Sequence, residues 1–262
     1  MAEVVARGLS FHVQRLGTGG RTFVFVHGLI MDNLSSWYFT VANPLAAVAD
    51  VVLYDLRGHG RSERPATGYT VADMVADLDA LLDALGLADR RVELVGNSFG
   101  GLLALAFAIA HPDLVSGLAL IDANMSDDRW GVDVAAGFAT EGAERDRLIA
   151  RYAYRWAGRQ SPRKTSRLAE TARELVYQTS MVSDLVASPP VSDEELRSVR
   201  CPVLALYGDR SELLDRGERL RRTIPDCELR LFAGCTHLLL WEATAVVRDA
   251  LREWATRPSG RG

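Results

Sequence analysis

The segment 96-GNSFGG-101 restricts the possible folds of this chain more than any other short stretch. It follows a mostly apolar, β-branched run at 92–96 and opens a second apolar run that ends at His111 and Pro112. This context predicts a sharp turn between a buried strand and a buried helix, with Ser98 at the apex of a Gly-x-Ser-x-Gly elbow. The flanking glycines remove side chains that would clash with the neighbouring strand and helix. We therefore predict that Ser98 is a nucleophile whose hydroxyl projects above a sheet.

Short runs of this kind recur along the chain and alternate with longer segments of helical spacing. Such runs are typical of strands that are buried on both faces of a parallel sheet. They lie at 22–26, 51–55, 92–96, 117–122 and 203–208, and two earlier runs at 3–8 and 10–17 predict an antiparallel hairpin. Helices are predicted over 70–86, where an apolar stripe stops at Gly86, and over 99–110. The alternation predicts an α/β fold with a doubly wound, mostly parallel sheet.

The strand pattern is interrupted between about 124 and 198 and resumes at Cys201 and Pro202. Within this interval, residues 144–158 show the apolar spacing of a helix. We interpret 124–198 as a helical cap that is inserted into an α/β core formed by 1–123 and 199–262. A separate domain is disfavoured because the sheet would be incomplete on either side of the cut.

Composition narrows the classes of partner and cofactor. Lys and Arg number 30 against 34 Asp and Glu, and this balance argues against nucleic acid as a partner because phosphate binding requires a concentrated positive field. No apolar run has the length of a membrane helix and no signal-peptide pattern opens the chain, so we expect a cytoplasmic protein without a membrane partner. The cysteines, Cys201, Cys227 and Cys235, are expected to be free thiols. No Cys or His pair has metal-ligand spacing, so neither a metal nor a cofactor is expected.

Together with the elbow, four further features of the chain resemble the α/β-hydrolase superfamily over essentially the whole length. They are 27-HG-28 after a strand, 54-YDLRGHGRS-62, the inserted cap and 234-GCTHLLLWE-242. The resemblance implies an eight-stranded, mostly parallel sheet with helices on both faces and a helical cap. It also implies that His237 is the general base and that the backbone N–H groups of Leu29 and Phe99 form the oxyanion hole. The resemblance further implies that His59 is a structural residue.

The acid that must orient the base is not at its usual place. In most relatives it follows the strand that ends at Gly208, at the position that Ser211 occupies here. Asp209 lies on this loop in a different register, and Glu212 is one residue too far along the chain. Asp122 ends the preceding strand, whose C-terminal end opens onto the same crevice, and some polyketide-synthase thioesterases resemble this arrangement. We favour Asp122 as the acid, with Asp209 and Glu212 as alternatives.

The residue types at these positions predict acyl transfer to water through an acyl-serine intermediate. The displaced acid and an arginine-rich cap favour an ester or thioester hydrolase of polyketide-type secondary metabolism. Its small acyl substrate would be free or linked to a carrier protein or to coenzyme A. The GNSFGG elbow instead resembles hydrolases that cleave carbon–carbon bonds in ring-fission products, which is one alternative. A slow or non-catalytic ligand receptor on the same fold is another alternative.

The long loop 29–39, beside the predicted oxyanion hole, and the predicted cap supply candidate pocket residues. Segments of this kind carry the variable, ligand-contacting side chains of a fold. The candidates are Asp32, Asn33, Trp37, Met125 and Trp130. Packing in the core is the alternative for Trp37 and for the cap side chains, and the sequence leaves both interpretations open.

Overall fold

One eight-stranded sheet forms the centre of the computed structural model, which describes residues 2–125, 142, 147 and 162–257. The strands are β1 (Ala2–Ala6), β2 (Leu9–Leu16), β3 (Thr22–Val26), β4 (Asp50–Tyr54), β5 (Val92–Asn97), β6 (Val115–Ile121), β7 (Val203–Gly208) and β8 (Cys227–Phe232). Their spatial order is β1-β2-β4-β3-β5-β6-β7-β8. β1 pairs with β2 and β2 with β4 in antiparallel fashion, and the other neighbouring pairs are parallel. The predicted α/β fold with a mostly parallel, eight-stranded sheet is therefore confirmed.

Helices cover both faces of this sheet. They are α1 (Ser35–Trp37), which continues through a π-helical turn (Tyr38–Ala42) into α2 (Asn43–Leu45), then α3 (Val71–Ala84), α4 (Phe99–Ala110), α5 (Pro162–Gln178), α6 (Met181–Ala187), α7 (Asp193–Arg197), α8 (Leu214–Thr223), α9 (Leu239–Glu242) and α10 (Thr244–Thr256). The predicted helices at 70–86 and 99–110 correspond to α3 and α4. Thr70 caps α3, since its side chain accepts a hydrogen bond from the backbone N–H of Asp73. Within the described part of the chain, no helix is long and apolar enough to span a membrane.

The central strands are apolar throughout because their side chains alternate between two hydrophobic clusters. On one face, Val24 and Leu94 pack in a cluster that includes residues of α3 and α4. On the other face, Phe25 and Val95 pack in a cluster that includes residues of α1, α2 and α10. Successive residues of a strand point to opposite faces, so a strand that is covered on both faces needs apolar side chains at nearly every position.

β8 was not among the strands predicted from the sequence. It lies at the edge of the sheet beside β7, and its residues are mostly half-buried. Charged side chains interrupt it: Glu228 pairs with Arg257, and Arg230 pairs with Glu253. An edge strand needs no continuous apolar run because one side of it meets solvent. The pattern that revealed the central strands is therefore missing from this one.

The described part of the predicted cap is helical and is attached to the loop that follows β4. Residues 162–198 contain α5, α6 and α7, whereas the described residues of 126–161 are only 142 and 147. Asp184 on α6 accepts a hydrogen bond from the backbone N–H of Tyr69 at 2.8 Å. This contact joins the segment 162–198 to the loop that follows β4. The boundaries of the cap stay a prediction.

The buried carboxylate of Glu93 joins β5 to Arg21, which precedes β3, and to the C-terminal helix α10. Glu93 is 1% exposed and lies 3.0 Å from Nε of Arg21, 2.9 Å from the hydroxyl of Ser116 and 3.0 Å from Nε1 of Trp254. We expect Glu93→Ala to lower the free energy of unfolding by about 2–4 kcal/mol, because it leaves the indole N–H without its acceptor and the Arg21 guanidinium without its carboxylate. Denaturant unfolding measures this change.

Glu253 on the same helix provides the matched control. Its ion pairs with Arg230 and Arg257 are exposed. Glu253→Ala is therefore expected to change the unfolding free energy by less than about 1 kcal/mol. Equal destabilisation by the two substitutions would contradict the special role of Glu93.

Candidate active site

Ser98 lies in the sharp turn between β5 and α4. Its backbone has φ 53° and ψ −120°, a region that residues other than glycine rarely adopt. The flanking glycines explain why this turn can form. A Cβ atom on Gly96 would lie 2.3 Å from the carbonyl oxygen of Gly100, and one on Gly100 would lie 2.1 Å from that of Val26. The close contact of strand and helix thus holds Ser98 in a strained conformation of the kind that clusters at functional sites.

His237 connects Ser98 to a buried carboxylate. Its Nε2 lies 3.0 Å from Oγ of Ser98, and its Nδ1 lies 3.1 Å from Oδ1 of Asp122. Because an ionised carboxylate only accepts, Nδ1 carries the proton and Nε2 is left to accept the hydrogen bond from the Ser98 hydroxyl. The side chain of His237 is 22% exposed, whereas that of Asp122 is fully buried. The structure brings the three predicted residues together in the order nucleophile, base and orienting acid.

The carboxylate of Asp122 is supported by groups on and after β7. The backbone N–H of Gly208 donates to Oδ2 at 3.0 Å, and the hydroxyl of Ser211 donates to Oδ1. The backbone N–H of Asp122 itself donates to the carbonyl of Leu206 at 2.7 Å. A buried carboxylate needs such donors because it has lost its hydrating water. These contacts fix the acid beside His237.

Ser211 therefore has a role that the sequence interpretation missed. It occupies the position at which the acid was first sought, and its hydroxyl binds the carboxylate that lies on the neighbouring strand. The same oxygen, Oδ1 of Asp122, is also the one that faces Nδ1 of His237. A hydroxyl group at the usual position of the acid was the available signal, because a buried hydroxyl needs a hydrogen-bond partner, and a displaced carboxylate can supply one.

The two alternative acids lie in exposed positions. Asp209 accepts a hydrogen bond from the backbone N–H of Gly234 at 2.7 Å, and its side chain braces the loop that precedes His237. Glu212 is exposed on the loop after β7. Both side chains thus differ from Asp122, which is buried and faces the imidazole.

The elbow is also fastened to the strand that precedes the acid. The backbone N–H of Ser98 donates to the carbonyl of Ile121 at 3.0 Å. The carbonyl of Ser98 accepts a hydrogen bond from the N–H of Asn124 at 2.9 Å. Ile121 and Asn124 flank Asp122 along the chain, so the nucleophile and the acid are held by one short stretch of backbone.

The two predicted oxyanion donors lie near this elbow on different segments. Phe99 is the first residue of α4, where the helix dipole favours negative charge. Leu29 follows β3, which is the parallel neighbour of β5, so its loop and the elbow lie at the same end of the sheet. Among the residues that the structure describes, no hydrogen-bond partner is found for the Leu29 N–H. A backbone N–H in such a position can bind a substrate oxygen.

Asp32 was predicted to line the pocket, but it organises the loop that carries Leu29. It is 2% exposed, and its carboxylate accepts hydrogen bonds from the N–H of Gly28 at 2.7 Å, from the N–H of Asn33 at 2.9 Å and from the hydroxyl of Ser36. Burial raises the pKa of Asp32, and His27 and these hydrogen bonds oppose the shift. The carboxylate faces its own loop, so we assign it to loop structure.

Trp37 and Met125, two of the predicted pocket residues, lie in the hydrophobic core clusters. Both are fully buried. Trp37 packs on Phe25 with ring centroids 5.1 Å apart, and Met125 lies in the core cluster beside α4. Burying such large apolar side chains stabilises the fold, whereas exposing them to solvent would not. Asn33 is half-buried and accepts a hydrogen bond from the N–H of Ser35 at 2.9 Å, while Trp130 lies outside the described residues.

Known proteins resemble this chain in sequence and in fold. The sequence model for the alpha/beta hydrolase fold matches residues 21–244. The 2-hydroxy-6-oxo-2,4-heptadienoate hydrolase of Pseudomonas putida is 30% identical over 259 residues, covering 89% of this chain and 88% of that protein. The 2-hydroxy-6-oxononadienedioate/2-hydroxy-6-oxononatrienedioate hydrolase 2 of Pseudomonas putida is 31% identical over 260 residues, covering 89% and 87%. The crystal structure of the enol-lactonase from Burkholderia xenovorans LB400 has a TM-score of 0.77 at 22% identity, covering 98% of this chain and all of that one.

The family match includes every feature on which the resemblance was based. Residues 21–244 contain the loop of Leu29, the elbow of Ser98 and the loop of His237. The enol-lactonase agrees in overall fold, and the two sequence relatives are named as hydrolases. The chain therefore belongs to the α/β-hydrolase fold family.

Proposed function

We propose that this chain is a serine hydrolase that cleaves a carbon–carbon bond in ring-fission products of the 2-hydroxy-6-oxodienoate class. The observation that carries the hydrolytic chemistry is the hydrogen-bonded series of Ser98, His237 and Asp122. The type of bond is supported by two relatives of about equal length, which are named for 2-hydroxy-6-oxo substrates. The expected polyketide-type thioesterase has no counterpart in these names, so we place carbon–carbon cleavage first.

In this proposal Ser98 attacks the carbonyl carbon at C6 of the substrate. A bond forms between Oγ and C6, and the hydroxyl proton passes to Nε2 of His237. Asp122 stabilises the imidazolium through the Nδ1–H hydrogen bond. The carbonyl oxygen becomes an oxyanion, to which the N–H groups of Leu29 and Phe99 donate.

The C5–C6 bond then breaks, and its electron pair moves into the unsaturated chain. That chain can accept the pair once the substrate has become its 2-oxo tautomer, in which the proton of the 2-hydroxyl group has moved to C5 and the C3–C4 double bond is conjugated with the 2-oxo group. His237 returns its proton to the departing fragment, and C6 is left as an acyl ester on Ser98. His237 next deprotonates a water that attacks this ester, which releases a carboxylic acid and restores the Ser98 hydroxyl. The net reaction adds one water across the C5–C6 bond.

Hydrolysis of an ester or thioester is the second candidate. The observation that favours it is the position of Asp122 after β6 instead of after β7, an arrangement that resembles some polyketide-synthase thioesterases. The same attack by Ser98 would then expel an alkoxide or a thiolate in place of the carbon fragment. A small acyl group linked to coenzyme A or to a carrier protein belongs to this second proposal.

A comparison of three substrates tests the order of these proposals. We expect the purified full chain to convert 2-hydroxy-6-oxo-2,4-heptadienoate into acetate and 2-hydroxy-2,4-pentadienoate. Its kcat/KM for this compound should exceed that for p-nitrophenyl butyrate and butyryl-coenzyme A by at least about tenfold, because a site built for one reacting group discriminates against others. The loss of dienoate absorbance and the release of acetate are the measurements. Turnover of an ester or thioester without any cleavage of the dienoate would reject the first proposal in favour of the second.

A further inference from the structure

The N–H of Leu29 is oriented by a strained turn. The N–H of Met31 donates to the carbonyl of Leu29 at 2.8 Å, which closes a three-residue turn centred on Ile30. Ile30 has a φ of 66° and is 6% exposed. A β-branched side chain is unfavourable in this left-handed region, so surrounding groups must hold the turn.

His59 provides one of these surrounding groups. Its Nε2 lies 2.8 Å from the backbone nitrogen of Ile30, and its Nδ1 lies 2.8 Å from the carbonyl oxygen of Arg57. Because a carbonyl only accepts, Nδ1 carries the proton, and Nε2 accepts the hydrogen bond from Ile30. The side chain is 1% exposed, so water cannot readily replace either contact.

The ring of His59 is also kept neutral. Burial, followed by the influence of the neighbouring His27, lowers the pKa of His59 to about 3. A protonated ring would donate from both nitrogens and could not accept from the N–H of Ile30. The acceptor is therefore present at every pH near neutrality.

We propose that His59 is a positioning residue for the oxyanion hole, because it holds the turn at Ile30 and so directs the Leu29 N–H toward the reacting carbonyl oxygen. The inference rests on the proposed function, since an oxyanion forms only when Ser98 attacks a carbonyl. Asp32 braces the same loop before Leu29 through its contact with Gly28. The Leu29 N–H thus lies between two anchored residues, Gly28 and Ile30, and loss of either anchoring hydrogen bond displaces it.

His59→Gln and His59→Asn form a matched pair that tests this inference. Both carry the same amide, but only the glutamine is long enough to place its oxygen near the position of Nε2. We expect His59→Asn to lower kcat for p-nitrophenyl butyrate roughly 10²-fold, with KM changed less than about threefold, since a donor misplaced by about 1 Å loses that much catalysis. His59→Gln should recover most of the lost kcat.

Inhibition by phenylboronic acid distinguishes positioning from folding. Its boron binds Oγ of Ser98 and becomes a tetrahedral anion that resembles the oxyanion intermediate. We expect the inhibition constant to weaken in His59→Asn by the same factor as kcat and to change little in His59→Gln. A purely structural role would reduce the folded fraction without changing the ratio of the inhibition constant to KM.

His111→Asn is the control for loss of an imidazole outside these loops. His111 follows α4 at the end opposite to Ser98, where it lies 3.6 Å from Asp79 and stacks on Phe107. Both kcat and the inhibition constant should be unchanged in the folded His111→Asn protein. Equal kcat and equal boronate affinity in the folded His59→Gln and His59→Asn proteins would overturn the inference.

Two further outcomes are a His59→Asn variant that does not fold and a wild-type chain without activity. Should His59→Asn not fold, the comparison moves to an Ile30→Gly background, because glycine adopts a φ of 66° without strain. There, His59→Asn is still expected to lower kcat, and an unchanged kcat would refute the positioning role. A wild-type chain that hydrolyses neither the dienoate nor the ester and does not bind phenylboronic acid would instead reject the proposed function, and the inference with it.

Discussion

Asp122→Asn is expected to lower kcat about 10⁴-fold while the protein stays folded. Asparagine has nearly the same volume as aspartate and can still accept the hydrogen bond from the Gly208 N–H. It has no negative charge, however, so it cannot stabilise the imidazolium that forms on His237. Its amide can also donate to Nδ1, which would favour the wrong tautomer of the ring. Steady-state kinetics with the best substrate measures the loss, and circular dichroism checks the fold.

Asp209→Asn is the matched control. Asp209 is exposed and bonds to the N–H of Gly234, so its neutral analogue should retain kcat within about threefold. The assignment of the acid fails if Asp209→Asn is the inactive variant and Asp122→Asn keeps its activity.

A second substitution at Ser211 sharpens the same experiment. The Ser211 hydroxyl already touches Oδ1 of Asp122, the atom that faces His237. In the double variant Asp122→Asn with Ser211→Asp, a carboxylate returns to this position and the amide of residue 122 can donate to it. We expect the kcat of the double variant to exceed that of Asp122→Asn by at least about tenfold. Ser211→Asp alone should lower kcat, because two carboxylates would then share one buried site.

Ser98→Ala is expected to reduce kcat about 10⁶-fold, since no other hydroxyl stands at the elbow. The substitution removes only Oγ, and alanine leaves the contacts of the flanking glycines unchanged. The same variant should bind a substrate analogue with nearly the affinity of the wild type, because the loss concerns the transition state. Calorimetry with the analogue and steady-state kinetics separate the two effects.

Labelling by a fluorophosphonate gives an independent measurement of the nucleophile. We expect the wild-type chain to be labelled at Ser98, whose hydroxyl faces the Nε2 of His237, and Ser98→Ala to remain unlabelled. The Ser211 hydroxyl also belongs to the site, but it donates to the carboxylate of Asp122 and not to the imidazole, so we expect no label there. A wild-type chain that is not labelled would reject the enzyme and leave the ligand-receptor alternative.

The strands in the middle of the sheet could be predicted because burial on both faces leaves a continuous apolar run in the sequence. Val24 and Phe25, for example, point into different clusters, and both must be apolar. β8 escaped prediction because its outer side meets solvent, so Glu228 and Arg230 interrupt the pattern. The elbow was predictable for a different reason, since its glycines belong to one short motif: a contact inside the turn requires Gly96, and a contact with β3 requires Gly100.

The acid and the pocket depended on distances that the sequence does not contain. Three carboxylates compete in the sequence, and their separation from the imidazole distinguishes them only in space. The same limit applied to Trp37, because an aromatic residue after a strand can face the core or a ligand, and the sequence pattern is the same in both cases. Asp32 was placed in the correct loop, but its carboxylate faces inward to the backbone.

The short stretch of backbone that holds both Ser98 and Asp122 has a consequence for the order in which the site is assembled. The nucleophile and the acid belong to the single unit β5–α4–β6, whereas His237 lies 139 residues after Ser98. During synthesis the first two can be placed as soon as that unit forms, because contacts between near neighbours in the chain close early. The base arrives only when the segment after β8 docks on the finished sheet. We therefore expect the nascent protein to have no hydrolase activity until the segment after β8, which carries His237, has folded.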